Sequence, residues 1–484
     1  MEIIGRENEK KRLNIIASSD KPELVTIFGR RRVGKTFLIR EFYSKNIVFD
    51  FTGTFEVSME TQLQNFFNVY LTCTKGQKET TVPTSWQQAF QYLANYLASF
   101  QNRKNKVVVF LDEMPWMNTP RSGFLAALEY FWNQHASKMA NIIVVVCGSA
   151  SSWMQKKLLQ AQGGLHNRVT QRIHLKPFTL AETEAFCQHK KLKLSRYQIL
   201  QIYMAFGGIP FYLNELEKGK SSTQLIDEIC FQKNGLLFSE YLYLFASLFR
   251  NPDSHIVMVE TLARYPQGLT RNEIVLYSKL PEGGTINRVL EELELSGFIS
   301  RHFPFQKKKK DTVYKLSDLY SLFYLKFIHP NKATGEGTWI SLMNSGTYKA
   351  WSGYAYENIS MLHINQIKVA LGISGIYSET SAWKFKGNDE LPGAQIDLII
   401  DRKDRVINLC EAKFSDKEFV ITKDYAQKLR TKRAVFDQVT KTKKSSFTTL
   451  ITTYPALRNR YYSDEVQFEV TMDALFEDDR VNTF

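Results

Sequence analysis

Residues 24–36 read Leu24-Val25-Thr26-Ile27-Phe28-Gly29-Arg30-Arg31-Arg32-Val33-Gly34-Lys35-Thr36. An apolar, β-prone run enters G-x-x-x-x-G-K-[ST], and residues 35–43 that follow read as a helix. Strand before and helix after is the context that gives this motif its meaning. The two glycines let the backbone curl so that its N–H groups face phosphates. Lys35 supplies charge to the β- and γ-phosphates, and the Thr36 hydroxyl reaches Mg²⁺. Gly29, Arg32, Val33, Gly34, Lys35 and Thr36 are therefore the expected nucleotide contacts. With glycine at ~7% of average usage, a chance match in such a chain is on the order of a few per cent. Of the three arginines inside the loop, at least one is expected to face solvent.

Working outward, short apolar runs alternate with helical stretches as far as residue 150. Residues 47–51, 107–111 and 142–147 read as strands, and 86–100 and 124–135 as helices. Continuous Val/Ile runs mean strands buried on both faces, and alternation with helices means a parallel sheet. The run 107–111 ends in Asp112-Glu113. Asp112 is expected to orient Mg²⁺ and its waters, and Glu113 to act as general base on the attacking water. The run 142–147 ends in Gly148-Ser149-Ala150-Ser151. Ser149 is placed to touch the γ-phosphate or the water, with a plain loop as the competing reading.

The rest of the chain is judged against length and charge. It has 484 residues, 63 Lys and Arg against 49 Asp and Glu, a net charge of +14, and 44% hydrophobic residues. That is globular composition with room for several domains, and it is not the composition of a disordered chain. The basic excess favours a polyanionic partner without requiring one. Cys73, Cys147, Cys187, Cys230 and Cys410 show no C-x-x-C spacing, which argues against a zinc ribbon or a disulfide scaffold. The start lacks an apolar signal segment, and the apolar runs are strand-sized, far below the ~20 residues of a membrane span. A cytoplasmic protein with no membrane partner is expected.

On these motifs the chain resembles the archaeal and bacterial ATPases of the AAA+/STAND type, which often carry an additional C-terminal domain. The resemblance implies ATP and Mg²⁺ as cofactors. It implies that Gly5-Arg6-Glu7 packs near the adenine, so that Arg6 is a nucleotide residue. It implies a sensor role for Ser149, and a charge-stabilising arginine at Arg168 within Leu165-His166-Asn167-Arg168. It also implies a nucleotide-facing turn at Gly208-Ile209-Pro210, which places Pro210 in the site. Arg168 acting in trans would require a homo-oligomer. By chemistry alone, Gly207-Gly208-Ile209-Pro210 marks a sharp turn between helices.

Residues 180–245 are helical in pattern. Residues 255–265, 270–278 and 285–296 then read as three helices, and 298–303 and 312–316 as strands around Lys307-Lys308-Lys309-Lys310. That order is the order of a winged helix-turn-helix. Ile286, Val289, Leu290 and Leu293 share one face of the third helix. Asn287 and Arg288 are left outside, beside Glu291, Glu292 and Glu294, which are unfavourable near a phosphate backbone. The lysine run in the wing is better placed for phosphate contact.

The last informative stretch is Gly393-Ala394-Gln395-Ile396-Asp397-Leu398-Ile399-Ile400, a turn at 401–405, and Val406-Ile407-Asn408-Leu409-Cys410-Glu411-Ala412-Lys413. Glu411 and Lys413 share one face of the second strand, and Asp397 on the adjoining strand can meet them. Glu357, on an upstream apolar helix, could reach the same point. A basic helix (424–440) and a strand (447–454) follow. This order is similar to the PD-(D/E)xK nuclease fold, although Ile396 stands where that family has proline. The resemblance implies Mg²⁺ or Mn²⁺ held by Glu357, Asp397, Glu411 and the Ala412 carbonyl, with Lys413 positioning water.

The expected architecture is thus α/β. It comprises a P-loop ATPase core (1–178), a helical lid (179–245), a winged helix (246–330) and a restriction-endonuclease-like α/β domain (331–484). The expected function is an ATP-hydrolysing ATPase coupled to DNA through a nuclease-like domain. The alternative is a nucleotide-dependent regulator or scaffold whose nuclease-like site is dead.

Overall fold

The computed structural model describes residues 2–76, 81–149, 151–159, 165, 167–307, 311–331 and 335–478. It divides into two units, Met1–Pro177 and Phe178–Phe484.

In the first unit, strands β1 (Glu23–Phe28), β2 (Ile47–Thr52), β3 (Val107–Asp112), β4 (Ile142–Gly148) and β5 (Gln171–His174) form one sheet in the order β2-β3-β4-β1-β5. Every pairing is parallel. β1, β3 and β4 are buried at every position, as central strands with helices on both faces must be. One face packs against an aromatic cluster of Phe49, Phe51, Phe66, Trp86, Phe90 and Phe124. Such rings bury ~150–250 Å² each and dominate core energetics. β5 is a sheet edge with only Ile173 buried. Its sequence, Gln-Arg-Ile-His, carries no apolar run to announce a strand.

The second unit opens with helices Leu180–His189, Arg196–Phe206, Ser222–Phe231 and Leu236–Leu248. Three of them begin with reciprocal capping boxes, Thr179/Glu182, Ser195/Gln198 and Ser221/Gln224. Each box satisfies two backbone N–H groups that the first turn leaves without partners. There follow helices Asp253–Ala263, Arg271–Ser278 and Gly284–Leu295, and strands β6 (Leu269–Thr270), β7 (Ile299–His302) and β8 (Val313–Leu316). These strands form an antiparallel sheet in the order β6-β8-β7. Ile286, Val289, Leu290 and Leu293 are all buried, the face expected from their spacing. Lys308, Lys309 and Lys310 lie outside the described residues.

The last sheet has the order β13-β12-β11-β10-β9. Its strands are β9 (Ser378–Phe385), β10 (Ala394–Arg402), β11 (Val406–Lys413), β12 (Ser445–Thr452) and β13 (Phe468–Thr471). β9, β10 and β11 pair antiparallel, and β11, β12 and β13 parallel. Helix Lys423–Thr440 makes the crossover that a parallel β11–β12 pair requires. The turn expected at 401–405 starts too early. Asp401 and Arg402 continue β10, and the chain reverses through Arg405 at φ 66°. Arg402 is buried and ion-paired with Asp404, so its polarity misread it as a turn residue.

Candidate functional site

The phosphate loop leaves β1 at Phe28 and enters helix Lys35–Phe42, capped by Gly34 at φ 90°. Gly29 sits where a side chain cannot: a Cβ there would lie 2.1 Å from the Leu175 carbonyl oxygen. Leu175 is itself pinned, its N–H donating to the Phe28 carbonyl at 2.8 Å. Arg30 is buried, and Arg31 and Arg32 are half-buried, so none of the three stands fully in solvent. Arg6, also buried, donates to the carbonyls of Val33 (3.0 Å) and Lys176 (2.7 Å). It clamps the loop from outside.

Lys35 is 5% exposed. Its ammonium donates to the carbonyls of Gly29 (3.0 Å) and Arg30 (2.9 Å) and to Ser149 Oγ (2.9 Å). A buried ammonium is tolerated only when its three donors are satisfied in this way. Ser149 passes the connection on. Its Oγ donates to Glu113 Oε1 at 2.5 Å and its N–H to Glu113 Oε2 at 3.0 Å. Glu113 takes a left-handed backbone conformation, φ 48°, directly after β3. Thr36 Oγ1 donates to Asp112 Oδ2 at 2.7 Å, and Asp112 Oδ1 accepts from the Glu113 N–H at 3.0 Å. Lys35, Thr36, Asp112, Glu113 and Ser149 are thus brought together at the carboxyl ends of β1, β3 and β4. The Thr36 hydroxyl and Asp112 carboxylate are an oxygen pair of the kind Mg²⁺ takes alongside waters and phosphates, so these residues fit that ion.

Arg168 lies in the exposed turn before β5 and does not join the cluster. Pro210 belongs to the second unit, where it opens the short helix Pro210–Leu213. The turn before it is clasped by the Phe178 N–H donating to the Gly208 carbonyl at 2.7 Å.

The second group of candidate residues sits on the β10–β11 hairpin. Leu398 pairs with Cys410, and continuing that register sets Asp397 opposite Glu411. A bulge between Ile396 and Ile399 distorts the strand at Asp397, as bulges do beside functional positions. Glu411 is buried. Its Oε1 accepts from Lys432 Nζ at 2.5 Å and its Oε2 from the Tyr425 hydroxyl at 3.4 Å, and Lys413 Nζ stands 3.6 Å away. Asp397 Oδ1 accepts from Gln395 at 2.6 Å. Glu357 lies on helix Gly346–Leu362, which Tyr354 and Asn358 tie to the Leu316 carbonyl of β8. Burial, followed by the charge of Asp397, pushes the Glu357 carboxyl up to about 7, against the pull of Lys315 and Lys413. Among the described residues no three His, Cys, Asp or Glu side chains form a group that could hold a metal ion. Glu357, Asp397 and Glu411 are not such a group of three, while Asp397 and Glu411 stand on adjacent strands and the charge of both raises the Glu357 carboxyl. Glu411 is drawn to Lys432 and Tyr425, and Asp397 is held by Gln395. Lys432 and Tyr425 escaped the sequence reading because nothing local marks one lysine of a basic helix as inward-facing.

Beside this hairpin, burial and then the charge of Lys315 push the His302 imidazole down to about 4. An unfolded chain titrates near ~6.5. Between these values the unfolded state holds a proton that the folded state does not, so stability falls as pH drops from about 6.5 towards about 4. Thermal melting across that range should show a shallower loss for His302→Gln than for the wild type. Parallel curves would remove His302 as a cause.

Residues 3–216 match the family model described as an ATPase domain predominantly from Archaea. An uncharacterised protein of Methanocaldococcus jannaschii is 23% identical over 440 residues, 89% of this chain and 92% of that protein. Among solved structures, the Walker-type ATPase of Pyrococcus abyssi is similar with a TM-score of 0.47 and 17% identity, covering 67% of this chain and 96% of that one. The ORC2 protein of Aeropyrum pernix gives 0.41 and 14%, covering 71% and 96%. No helix among the described residues is long and apolar enough to cross a membrane.

Proposed function

We propose, from the premise that the first unit is a P-loop ATPase domain, that the chain is an ATP-hydrolysing switch acting on a DNA-binding second unit. The observation that carries the hydrolytic part is the Lys35–Ser149–Glu113 relay beside the Thr36–Asp112 pair. Lys35 gives the phosphates a buried positive charge, and Glu113 accepts the proton of the attacking water. Ser149, touching both, ties the base to phosphate occupancy. Mg²⁺ held by Thr36 and Asp112 would neutralise charge developing between the β- and γ-phosphates. Arg6 keeps the loop in its binding shape. Arg168, exposed, is the arginine available to a neighbouring copy, and Pro210 is the candidate lid contact.

The DNA-binding part is supported by the helix and strand order of residues 253–316, which is that of a winged helix. Two of the three acids that would repel a backbone there are used internally. Glu292 meets His255 at 2.9 Å and Glu294 meets Arg301 at 3.1 Å. Arg288 and Asn287 are left exposed. If this unit binds DNA, affinity for a duplex should fall steeply with salt, with log K linear in log salt. A flat response would remove phosphate contacts from the account.

Two readings of the β10–β11 hairpin remain distinct in their chemistry. Asp397, Glu411 and Lys413 at one end of adjacent strands support strand cleavage. The Lys432–Glu411 pair, which engages the carboxylate a metal would need, favours a unit that binds DNA without cutting it. Incubation with plasmid and Mg²⁺ or Mn²⁺, with and without ATP, should leave the plasmid intact. Cleavage abolished by Asp397→Ala and Lys413→Ala, but not by Lys35→Ala, would instead assign a nuclease to the hairpin.

A further inference from the structure

A cavity of about 270 Å³ lies where the β6–β8 sheet meets β9 and β10, and its walls include Tyr265, Tyr277, Lys315, Lys384, Lys386 and Asp397. The walls are fixed to each other through the main chain. Pro304 bridges to Ala382, and the Phe305 N–H donates to the Ala382 carbonyl at 2.9 Å. Lys315 is 5% exposed, yet no hydrogen bond or ion pair to its ammonium is found among the described residues. Its charge acts on the Glu357 carboxyl, but no hydrogen bond offsets its burial, which is costly, and it lines a cavity in which an anion can supply one. Lys384 on β9 and Lys386, one residue past its end, stand exposed at the same cavity. Of the two acids in the wall, Glu273 is spent on the capping box with Thr270, and Asp397 accepts from Gln395.

Part of the lining is aromatic. Tyr265 and Tyr277 stack with centroids 4.7 Å apart and planes 15° from parallel, and Tyr277 remains 42% exposed. Rings so placed are a platform for a base, which binds by its face irrespective of sequence. The volume is just below the usual range for small-molecule sites, roughly 300–1,000 Å³, on the scale of one small ligand and far short of a duplex.

We propose that this cleft binds a single nucleotide, its phosphate on Lys315, Lys384 and Lys386 and its base against Tyr277. The ligand chemistry is a nucleotide phosphate, supplied free or within a single strand. The strand form rests on the DNA reading above, and the free form does not. The test is calorimetric titration of the full chain carrying Lys35→Ala, which removes competition from the phosphate loop. The probes are thymidine 5′-monophosphate, 5′-phosphorylated tetrathymidylate and its 5′-hydroxyl counterpart. At least one phosphorylated probe should bind, at least tenfold more weakly with Lys315→Met and about fivefold more weakly with Lys384→Ala/Lys386→Ala. The surface pair carries the test should Lys315→Met fail to fold. Binding of the mononucleotide but of neither oligonucleotide would keep the cleft and sink its link to DNA. No binding of any probe, or binding indifferent to every variant that folds, would overturn the proposal.

Discussion

Glu113→Gln should bind ATP as the wild type does and turn it over roughly 10²–10⁴ times more slowly, the usual worth of a positioned general base. Glutamine's one carbonyl oxygen can still accept from the Ser149 N–H, a bond of 3.0 Å to Glu113, while its NH2 can only donate towards Ser149 Oγ, reversing the 2.5 Å bond, and it cannot take a proton. The left-handed backbone at Glu113 is kept, so geometry is not what changes. Equilibrium binding of a fluorescent ATP analogue, with single-turnover hydrolysis, separates the two effects. Unchanged turnover would remove Glu113 as the base, and lost binding would show that the carboxylate holds the loop rather than the water.

Gly29→Ala should cost nucleotide binding at least roughly 100-fold, about 2.7 kcal/mol by the usual conversion, together with a lower melting temperature. The added methyl would lie 2.1 Å from the Leu175 carbonyl oxygen. That oxygen is backbone, held by the pairing of β1 with β5, so it cannot swing away as a side chain would. Gly34→Ala is the control. Its φ of 90° disfavours alanine, but nothing lies within 4 Å of the new Cβ, so only backbone strain of about 1–3 kcal/mol is expected. Melting curves and ATP titrations of both variants check the order. A milder Gly29→Ala than Gly34→Ala would contradict the packing argument.

The parts legible in the sequence are those where one residue type has one use. Gly29, Gly34, Lys35 and Thr36 could be read because the loop needs those residues at that spacing. β3 and β4 could be read because strands buried on both faces leave continuous Val/Ile runs. Of the edge strands, β2 was legible from its apolar run, but β5 and β13 were not. β5 and β13 are short, half-polar strands that exist because a neighbour offers its free backbone groups, and no local pattern records that. Lys315 has the same difficulty from the other side. It looks like an ordinary strand lysine, and only the packing of β8 against helix Gly346–Leu362 and the cavity gives it a meaning. Pairing of the hairpin carboxylates was readable from strand alternation, but the competition for Glu411 by Lys432 was not.

The net charge of +14 reads differently once the pairs are placed. Within the basic helix Lys423–Thr440, Lys432 answers Glu411, and Arg430 and Arg433 answer Glu465. Lys35 and Arg6 are committed to the phosphate loop. Exposed charge outside these pairs remains in both units, on residues such as Lys11, Lys75 and Lys104 in the first and Arg288, Lys384 and Lys386 in the second.

A switch must bind its output differently in its two nucleotide states, since a ligand shifts an equilibrium only through differential affinity. The direct measurement is duplex DNA affinity of Glu113→Gln, at fixed salt, without nucleotide, with ADP and with ATP. A change of at least about fivefold is expected between the ATP state and the others, the lower end of typical coupling, with an equal factor when ATP affinity is measured with and without DNA. The same DNA affinity in all three states would contradict it.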